Sequence, residues 1–134
     1  MSEELAAAPD AQDARAAWLF GVIGSGDIGV GAAVFAWPPL LGWLVGQSLD
    51  TGGEVVARLL GCAAAALGLG WWRARHRPAA RRALQAGMLV YNLGAGVVFL
   101  WAAMLAAAPW VPGLVGLMHL ALGVMAARVG TKVQ

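Results

Sequence analysis

Two ionisable residues lie in the middle of long apolar stretches, Asp27 in the first such stretch and His119 in the last. Each has a glycine three residues before it and another four residues after it, at positions 24, 31, 116 and 123. These spacings place each set on one face of a helix, where glycines let two backbones approach closely. An ionisable side chain at the centre of a membrane helix costs roughly 2.5 to 3.5 kcal/mol, so we interpret Asp27 and His119 as candidates for proton or ligand binding.

The two residue types suit different chemistry. The Asp27 carboxyl could bind a proton or a cation, or it could be a buried acid that only holds helices together. The His119 imidazole could be an axial ligand of a pigment or a haem, or it could simply donate a hydrogen bond to a neighbouring helix. A haem with two histidine ligands lacks its second ligand at this depth, because the other histidine, His76, lies in an arginine-rich loop. We therefore predict no cofactor and no metal, with pigment or haem at His119 as the alternative.

Tyr91 and Asn92 are polar residues at the same expected depth. Counting about 1.5 Å per residue from the ends of the apolar stretches places them, with Asp27 and His119, near the middle of a bilayer. We expect the four to form one polar layer, in which Asp27 could pair with His119 and Asn92 or Tyr91 could add hydrogen bonds; the sequence leaves open whether Asp27 and His119 touch. The second apolar stretch has only small and apolar residues at this level and should be an apolar wall. Tyr91 and Asn92 either join helices or contact a substrate.

Composition places these residues in a membrane protein. The chain has 134 residues, of which 60% are hydrophobic and only 12% are charged. Soluble domains have about 25% charged residues, so an ordinary globular domain is excluded. We predict an all-α, integral membrane, up-and-down four-helix bundle. The single cysteine, Cys62, rules out an intramolecular disulfide and is expected to be a small packing residue.

Four segments are long enough to span a membrane, and prolines or glycines separate them. They cover residues 16–37, 55–72, 83–107 and 112–128, and together they make a transmembrane domain over residues 16–128. An acidic tail, 1–15, precedes this domain, and a short tail, 129–134, follows it. Residues 38–54 are apolar but too short to span, so we expect an interfacial or re-entrant segment there.

The positive charges indicate an orientation. Of the nine Lys and Arg residues, only Arg58 falls at the end of the bundle away from the chain termini. This bias predicts that both termini are cytoplasmic and that the protein lies in a bacterial cytoplasmic (inner) membrane, not on nucleic acid. Five of the positive residues crowd the central loop, where they set topology and are candidates for binding lipid head groups; they are Arg73, Arg75, Arg77, Arg81 and Arg82.

Tryptophans provide a second indication of where a membrane surface would lie. We expect those at positions 18, 71 and 72 to mark the inner interface and those at 37, 43, 101 and 110 to mark the outer one. Glu54 and Arg58 are four residues apart at the outer start of the second span. We predict that they form an interfacial ion pair and not a functional site.

The sequence has no recognisable enzyme motif. It lacks a Walker loop, an HExxH, a CxxC, a nucleophile elbow and a cluster of metal ligands. One carboxylate and one histidine at depth are few for intramembrane catalysis. We predict that the protein is not an enzyme, although a minimal proton-transfer site formed by Asp27 and His119 is chemically allowed.

Two family resemblances follow from these residues. Four helices with one acidic residue midway along the first resemble the small multidrug resistance transporters; the resemblance implies that Asp27 would be the site where substrate and protons compete. Those transporters carry glutamate there. The basic loop, the third segment RRALQAGMLVYNLGAGVVFLW and the fourth segment GLVGLMHLALGV look like small uncharacterised bacterial four-helix membrane proteins of the DoxX-like kind, a resemblance that implies architecture alone.

Three hypotheses of function follow. The first is a noncatalytic accessory or structural subunit of a larger membrane complex, or a homo-oligomer, with membrane lipids and other subunits or itself as partners. The second is a proton-coupled small-molecule transporter that uses Asp27. The third is a pigment-, haem- or lipid-binding protein, with His119 as ligand or with Tyr91, Asn92 and Asp27 as a polar head-group site.

Overall fold

A computed structural model describes residues 11–130, with side chains as far as residue 128, and this part of the chain is helical. Its five helices are listed here in chain order: α1 (Ala11–Ala36), α2 (Pro39–Val45), α3 (Thr51–Ala74), α4 (Pro78–Leu105) and α5 (Trp110–Gly130). All but α2 are long and apolar enough to cross a membrane. The predicted all-helical fold with four potential spans is therefore confirmed. The first ten residues of the predicted acidic tail, and residues 131–134 of the second tail, lie outside the described part.

Helices α3 and α4 begin before the predicted spans, which start at residues 55 and 83. Asp50 begins α3 four residues early, since its carboxylate accepts a hydrogen bond from the Gly53 amide at 2.7 Å. Pro78 occupies the first turn of α4, where its missing amide hydrogen costs nothing. α1 is already helical at Ala11, the first described residue and five residues before the predicted span. The added turns carry the charged residues.

The segment predicted as interfacial or re-entrant contains the short helix α2. It follows Pro38 and ends at Gly46, which has a φ of 72° and therefore the left-handed conformation that glycine tolerates best. The amide of Gln47 then donates to the Gly42 carbonyl at 2.8 Å. α2 contacts α1, α4 and α5. With seven residues it is too short to cross a membrane, and it closes one end of the bundle.

The long helices are arranged as two antiparallel hairpins. α1 packs along α3 over most of its length, α4 packs along α5 in the same way, and contacts between the hairpins are few. In the first hairpin, Gly24 faces Gly68 and Gly31 faces Gly61. A Cβ at Gly24 would lie 2.7 Å from the Gly68 carbonyl oxygen, so the backbones touch with no side chain between them. Two facing pairs, seven residues apart on each helix, hold this hairpin together.

The second hairpin uses one glycine pair and leucines. A Cβ at Gly96 would lie 3.1 Å from the Gly116 carbonyl oxygen and 2.7 Å from the Leu120 side chain. Gly123 similarly receives the Leu93 side chain. Leucine side chains therefore fill much of the interface between α4 and α5, as in ordinary helix packing, whereas the backbones of α1 and α3 are in direct contact.

Apolar residues that join the hairpins lie towards the arginine-rich end. The buried cluster there consists of Leu19, Phe20, Ile23, Trp71, Ala74, Met88 and Ala126. Large apolar side chains elsewhere cover the outside, and Met104 and Val90 are 76% and 72% exposed. An outer surface of this kind suits contact with lipid or with other helices.

Most of the tryptophans predicted to mark membrane surfaces are exposed, at positions 18, 37, 43, 101 and 110, and Trp72 is partly so. Trp71 differs, since it is only 2% exposed and lies in the core cluster. Its position in the helix turns it inwards, one residue away from its exposed neighbour. The predicted pair of Glu54 and Arg58 is present at 3.6 Å, and both side chains are substantially exposed.

Candidate functional site

Tyr91 lies where all four long helices meet. Its ring packs edge-on against Trp71 of α3, with 5.2 Å between centroids and 64° between planes. It is also edge-on to His119 of α5, at 6.0 Å and 77°. Its phenol is a neighbour of the Asp27 carboxyl on α1. One side chain of α4 thus links the polar residues of both hairpins.

Asn92 and His119 form the second half of the layer. The Asn92 side chain is fully buried, and its Nδ2 donates to the Met88 carbonyl oxygen at 3.0 Å. This bond turns Oδ1 towards α5, where it lies 3.0 Å from Nδ1 of His119. An amide oxygen only accepts hydrogen bonds, so Nδ1 of His119 must carry a proton. In the neutral ring the free lone pair is then on Nε2, the nitrogen left for a ligand or a proton.

Asp27 lies against the glycine contact of the first hairpin. A Cβ at Gly68 would be 2.9 Å from the Cβ of Asp27, so only glycine at position 68 leaves room for this side chain beside α3. The carboxyl oxygen Oδ2 is buried and has no hydrogen-bond partner within the described residues. A buried carboxyl with one unmatched oxygen can satisfy that oxygen by binding a proton or a cation.

The structure brings Asp27, Tyr91, Asn92 and His119 into one layer and shows which of these side chains are neighbours. Asp27 and His119 do not form an ion pair: between residues 11 and 128, the ion pairs are Glu54 with Arg58 and Asp13 with Arg81. Tyr91 instead lies between the carboxyl and the imidazole. Its neighbour Asn92 occupies the Nδ1 side of the imidazole.

Two aromatic residues of the layer were not foreseen. Trp71 contacts Tyr91, so α3 is more than the expected apolar wall. Phe99 stacks on His119, with 5.8 Å between centroids and 4° between planes. Phe99 follows Asn92 by seven residues and so shares its face of α4, a spacing that could have identified it.

The polar layer is filled by side chains. Trp71, Tyr91, Phe99 and His119 together place rings across the middle of the bundle. A groove of about 450 Å³ lies elsewhere, between α1 and the C-terminal end of α3. In the part of the chain that the structure describes, no three His, Cys, Asp or Glu side chains are grouped so that they could hold a metal ion. His119 with its free Nε2 is the residue best placed for an axial ligand.

Only Arg75 and Arg77 of the five arginines predicted in a loop lie between helices, since Arg73 belongs to α3 and the other two, Arg81 and Arg82, belong to α4. The Arg81 side chain is buried, pairs with Asp13 of α1 at 2.6 Å and also donates to the Arg75 carbonyl oxygen. Arg75 lies over the Trp72 ring, with 3.7 Å from its guanidinium carbon to the ring centroid. Arg73, Arg77 and Arg82 are exposed. Arg81 thus fixes the loop to α1, while the other four remain candidates for head groups.

Comparison of the chain with known protein families, with curated proteins and with solved structures finds no match.

Proposed function

We propose that the protein is a noncatalytic integral membrane protein that acts as an accessory or structural subunit of a larger membrane complex, or as a homo-oligomer. Four helices of spanning length and a largely apolar outer surface support a membrane location. Among the described residues, Arg73, Arg75, Arg77, Arg81 and Arg82 lie at or beside the connection between α3 and α4, and Arg58 lies towards the other end of α3. That distribution favours cytoplasmic termini in a bacterial inner membrane.

The main support for this proposal comes from glycines on the outer faces of α1 and α4 that make no close contact within the chain. The glycines between α1 and α3 touch the opposite backbone, yet Gly26 and Gly29 on α1 and Gly87 and Gly94 on α4 have nothing within 4 Å of where a Cβ would be. Glycine lowers helix stability relative to alanine by about 1 kcal/mol, so an open glycine in a helix has a cost without a contact inside this chain. A close helix from another subunit or a second copy would provide that contact.

The test is the native mass of protein extracted gently from its own membrane, for wild type and for Gly29→Leu and Gly94→Leu. We expect wild type to have a mass well above the 13.8 kDa of one chain. Leucine at either glycine should remove the partner from that face. Ala63→Leu is the matched control, because it adds leucine at an exposed position of α3. A wild-type protein that is a bare monomer in mild detergent and in its native lipids would refute the proposal.

A second candidate, proton-coupled transport, is favoured by the buried Oδ2 of Asp27. In this mechanism the carboxyl exchanges a proton for a substrate, and the Tyr91 hydroxyl orients it. The resemblance to small multidrug resistance transporters agrees with this role. Proton flux into proteoliposomes, measured with and without small cationic compounds, tests it. Substrate-dependent proton flux in wild type that disappears in a folded Asp27→Asn variant would show transport and overturn the proposal of a subunit role. No substrate-dependent flux in wild type would refute proton-coupled transport.

Cofactor binding at His119 is checked in the same preparation by its absorbance spectrum. A visible band that is lost in His119→Gln would identify a pigment or haem ligand. We expect a colourless preparation, in which His119 is a hydrogen-bond partner of Asn92 alone.

A further inference from the structure

The groove between α1 and the end of α3 has an apolar wall and a basic end. We call it the α1–α3 groove; Ala17, Gly21 and Val22 line its wall, and Trp72, Arg75 and His76 lie at its end. Its volume is about 450 Å³. The groove runs up α1 as far as Ser25, so it extends from the arginine-rich end towards the middle of the bundle.

Arg75 is held in place at this end. Its Nη1 donates to the Trp72 carbonyl oxygen at 2.7 Å, and the guanidinium lies over the Trp72 ring. The aliphatic part of Arg75 passes Gly21, where a Cβ would be 3.6 Å from its Cδ. A guanidinium has five N–H groups, so most of them remain for an anion. Positioning in advance reduces the entropy lost when a ligand binds.

The loop backbone at Arg75 is fixed from the other side by Arg81. That buried side chain donates to the Arg75 carbonyl oxygen and pairs with Asp13. Asp13 is therefore the ion-pair partner of Arg81. The positive charge of Arg75 lies at the end of an apolar groove, with the exposed Arg73 and Arg77 nearby in sequence. Charge and shape together complement an anion attached to an apolar chain.

We propose that the α1–α3 groove binds one anionic phospholipid, with its phosphate on the Arg75 guanidinium and an acyl chain along Ala17, Gly21 and Val22. An acyl chain accounts for the apolar wall, which a free phosphate would leave uncovered. This site rests on the membrane location in the proposed function, but it is separate from the outward glycines and from the polar layer and so does not depend on the role as a subunit. The proposal also identifies Arg75, among the five arginines predicted to bind head groups, as the one that contacts the phosphate.

The experiment measures retention of phosphatidylglycerol against phosphatidylcholine by native mass spectrometry of the full chain. We expect wild type to keep one phosphatidylglycerol in preference to phosphatidylcholine. Arg75→Gln should reduce that preference about fivefold, in line with the loss of one cation near the lipid surface. Arg73→Gln is the matched control, because it removes the same charge from the same helix end but lies outside the groove lining.

A second variant tests the apolar wall. Gly21→Leu should fill the groove and abolish retention of the lipid, whereas Gly21→Ala should be tolerated, since its Cβ would make an ordinary contact with Arg75. Helix content and thermal unfolding in phosphatidylcholine establish that each variant is folded; if Gly21→Leu fails to fold, the comparison of Arg75→Gln with Arg73→Gln decides alone.

Three results would overturn the proposal. Equal retention of both lipids by wild type would do so. Equal losses in Arg75→Gln and Arg73→Gln would show a diffuse basic surface and no site. Displacement of the lipid by millimolar inorganic phosphate, with Gly21→Leu still binding, would show that the end of the groove is a simple phosphate site.

Discussion

The His119 imidazole and the Asn92 amide form a hydrogen bond between α4 and α5, with 3.0 Å between Nδ1 and Oδ1. The Met88 carbonyl fixes the orientation of the amide, so the proton on the imidazole is assigned to Nδ1 by geometry. Both side chains are buried. Neither can exchange its partner for water without opening the helix pair.

A double-mutant cycle should detect this bond. We expect Asn92→Leu to destabilise the bundle, because it leaves the Nδ1–H of His119 unpaired, and His119→Phe to leave Asn92 unpaired in turn. The double variant should cost less than the sum, with a coupling of about 0.6 to 1.7 kcal/mol, as found for hydrogen bonds between membrane helices. Unfolding in mixed detergent micelles measures all four proteins. Strict additivity would contradict the bond.

The Tyr91 hydroxyl should matter only while Asp27 is present. Tyr91→Phe keeps the ring contacts with Trp71 and His119 but removes the group that can bond to the carboxyl. We expect a loss of about 1 to 3 kcal/mol, since the variant removes the polar neighbour of a half-buried carboxyl. The same change in an Asp27→Leu background should be nearly neutral. Equal losses in both backgrounds would show that the hydroxyl acts elsewhere.

Substitution by alanine should lower the stability of the protein at Gly68 but not at Gly70. A Cβ at Gly68 would lie 2.6 Å from the Gly24 carbonyl oxygen, so Gly68→Ala must push α1 and α3 apart, at a cost of about 1 to 3 kcal/mol. Nothing lies within 4 Å of a Cβ at Gly70, two residues away. Gly70→Ala should therefore be neutral or stabilising through helix propensity. Thermal unfolding followed by circular dichroism compares the two, and similar melting temperatures would contradict the packing of α1 on α3.

Substitutions of the two partners in the Asp13–Arg81 ion pair should differ in their effect on stability. Arg81→Gln removes both the ion pair and the bond to the Arg75 carbonyl, while Asp13→Asn leaves that second bond in place. We expect Arg81→Gln to destabilise more, by about 1 to 2 kcal/mol relative to Arg82→Gln, an exposed neighbour with the same change of charge. Chemical denaturation ranks the three variants. If Arg82→Gln lowered the free energy of unfolding as much as Arg81→Gln, the effect would come from the change in net charge and not from the Arg81 contacts.

Much of the fold can be predicted from the sequence, because the length of each apolar segment and the prolines between segments can be recognised without knowledge of tertiary contacts. Four spans, their order and the pair of Glu54 and Arg58 needed no knowledge of packing. The glycines around Asp27 and His119 indicated close contacts, but which helices they join depends on three-dimensional pairing. The sequence alone left open whether Gly24 faces α3 or α4.

The depth of the four polar residues was also predictable, whereas their pairing and the two aromatic members of the layer, Trp71 and Phe99, were not. Depth along each helix follows from counting residues, so Asp27, Tyr91, Asn92 and His119 could be placed at one level. Which side chains meet depends on helix rotation, and a rotation of some 100° per residue separates Tyr91 from Asn92. That angle directs Tyr91 to Trp71 of the first hairpin and Asn92 to Nδ1 of His119 on α5. The rotation of α3 about its own axis in turn puts Trp71 inside the bundle.

The division into two hairpins determines the order in which contacts become available during synthesis. α1 and α3 are complete before α4 emerges, so their glycine contacts can form first. Asp27 then has no Tyr91 beside it, and the nascent hairpin presents an uncovered carboxyl until the third long helix arrives. We expect this half-made chain to be the species that the membrane insertion machinery must shelter, and the one most readily degraded when the second hairpin is missing.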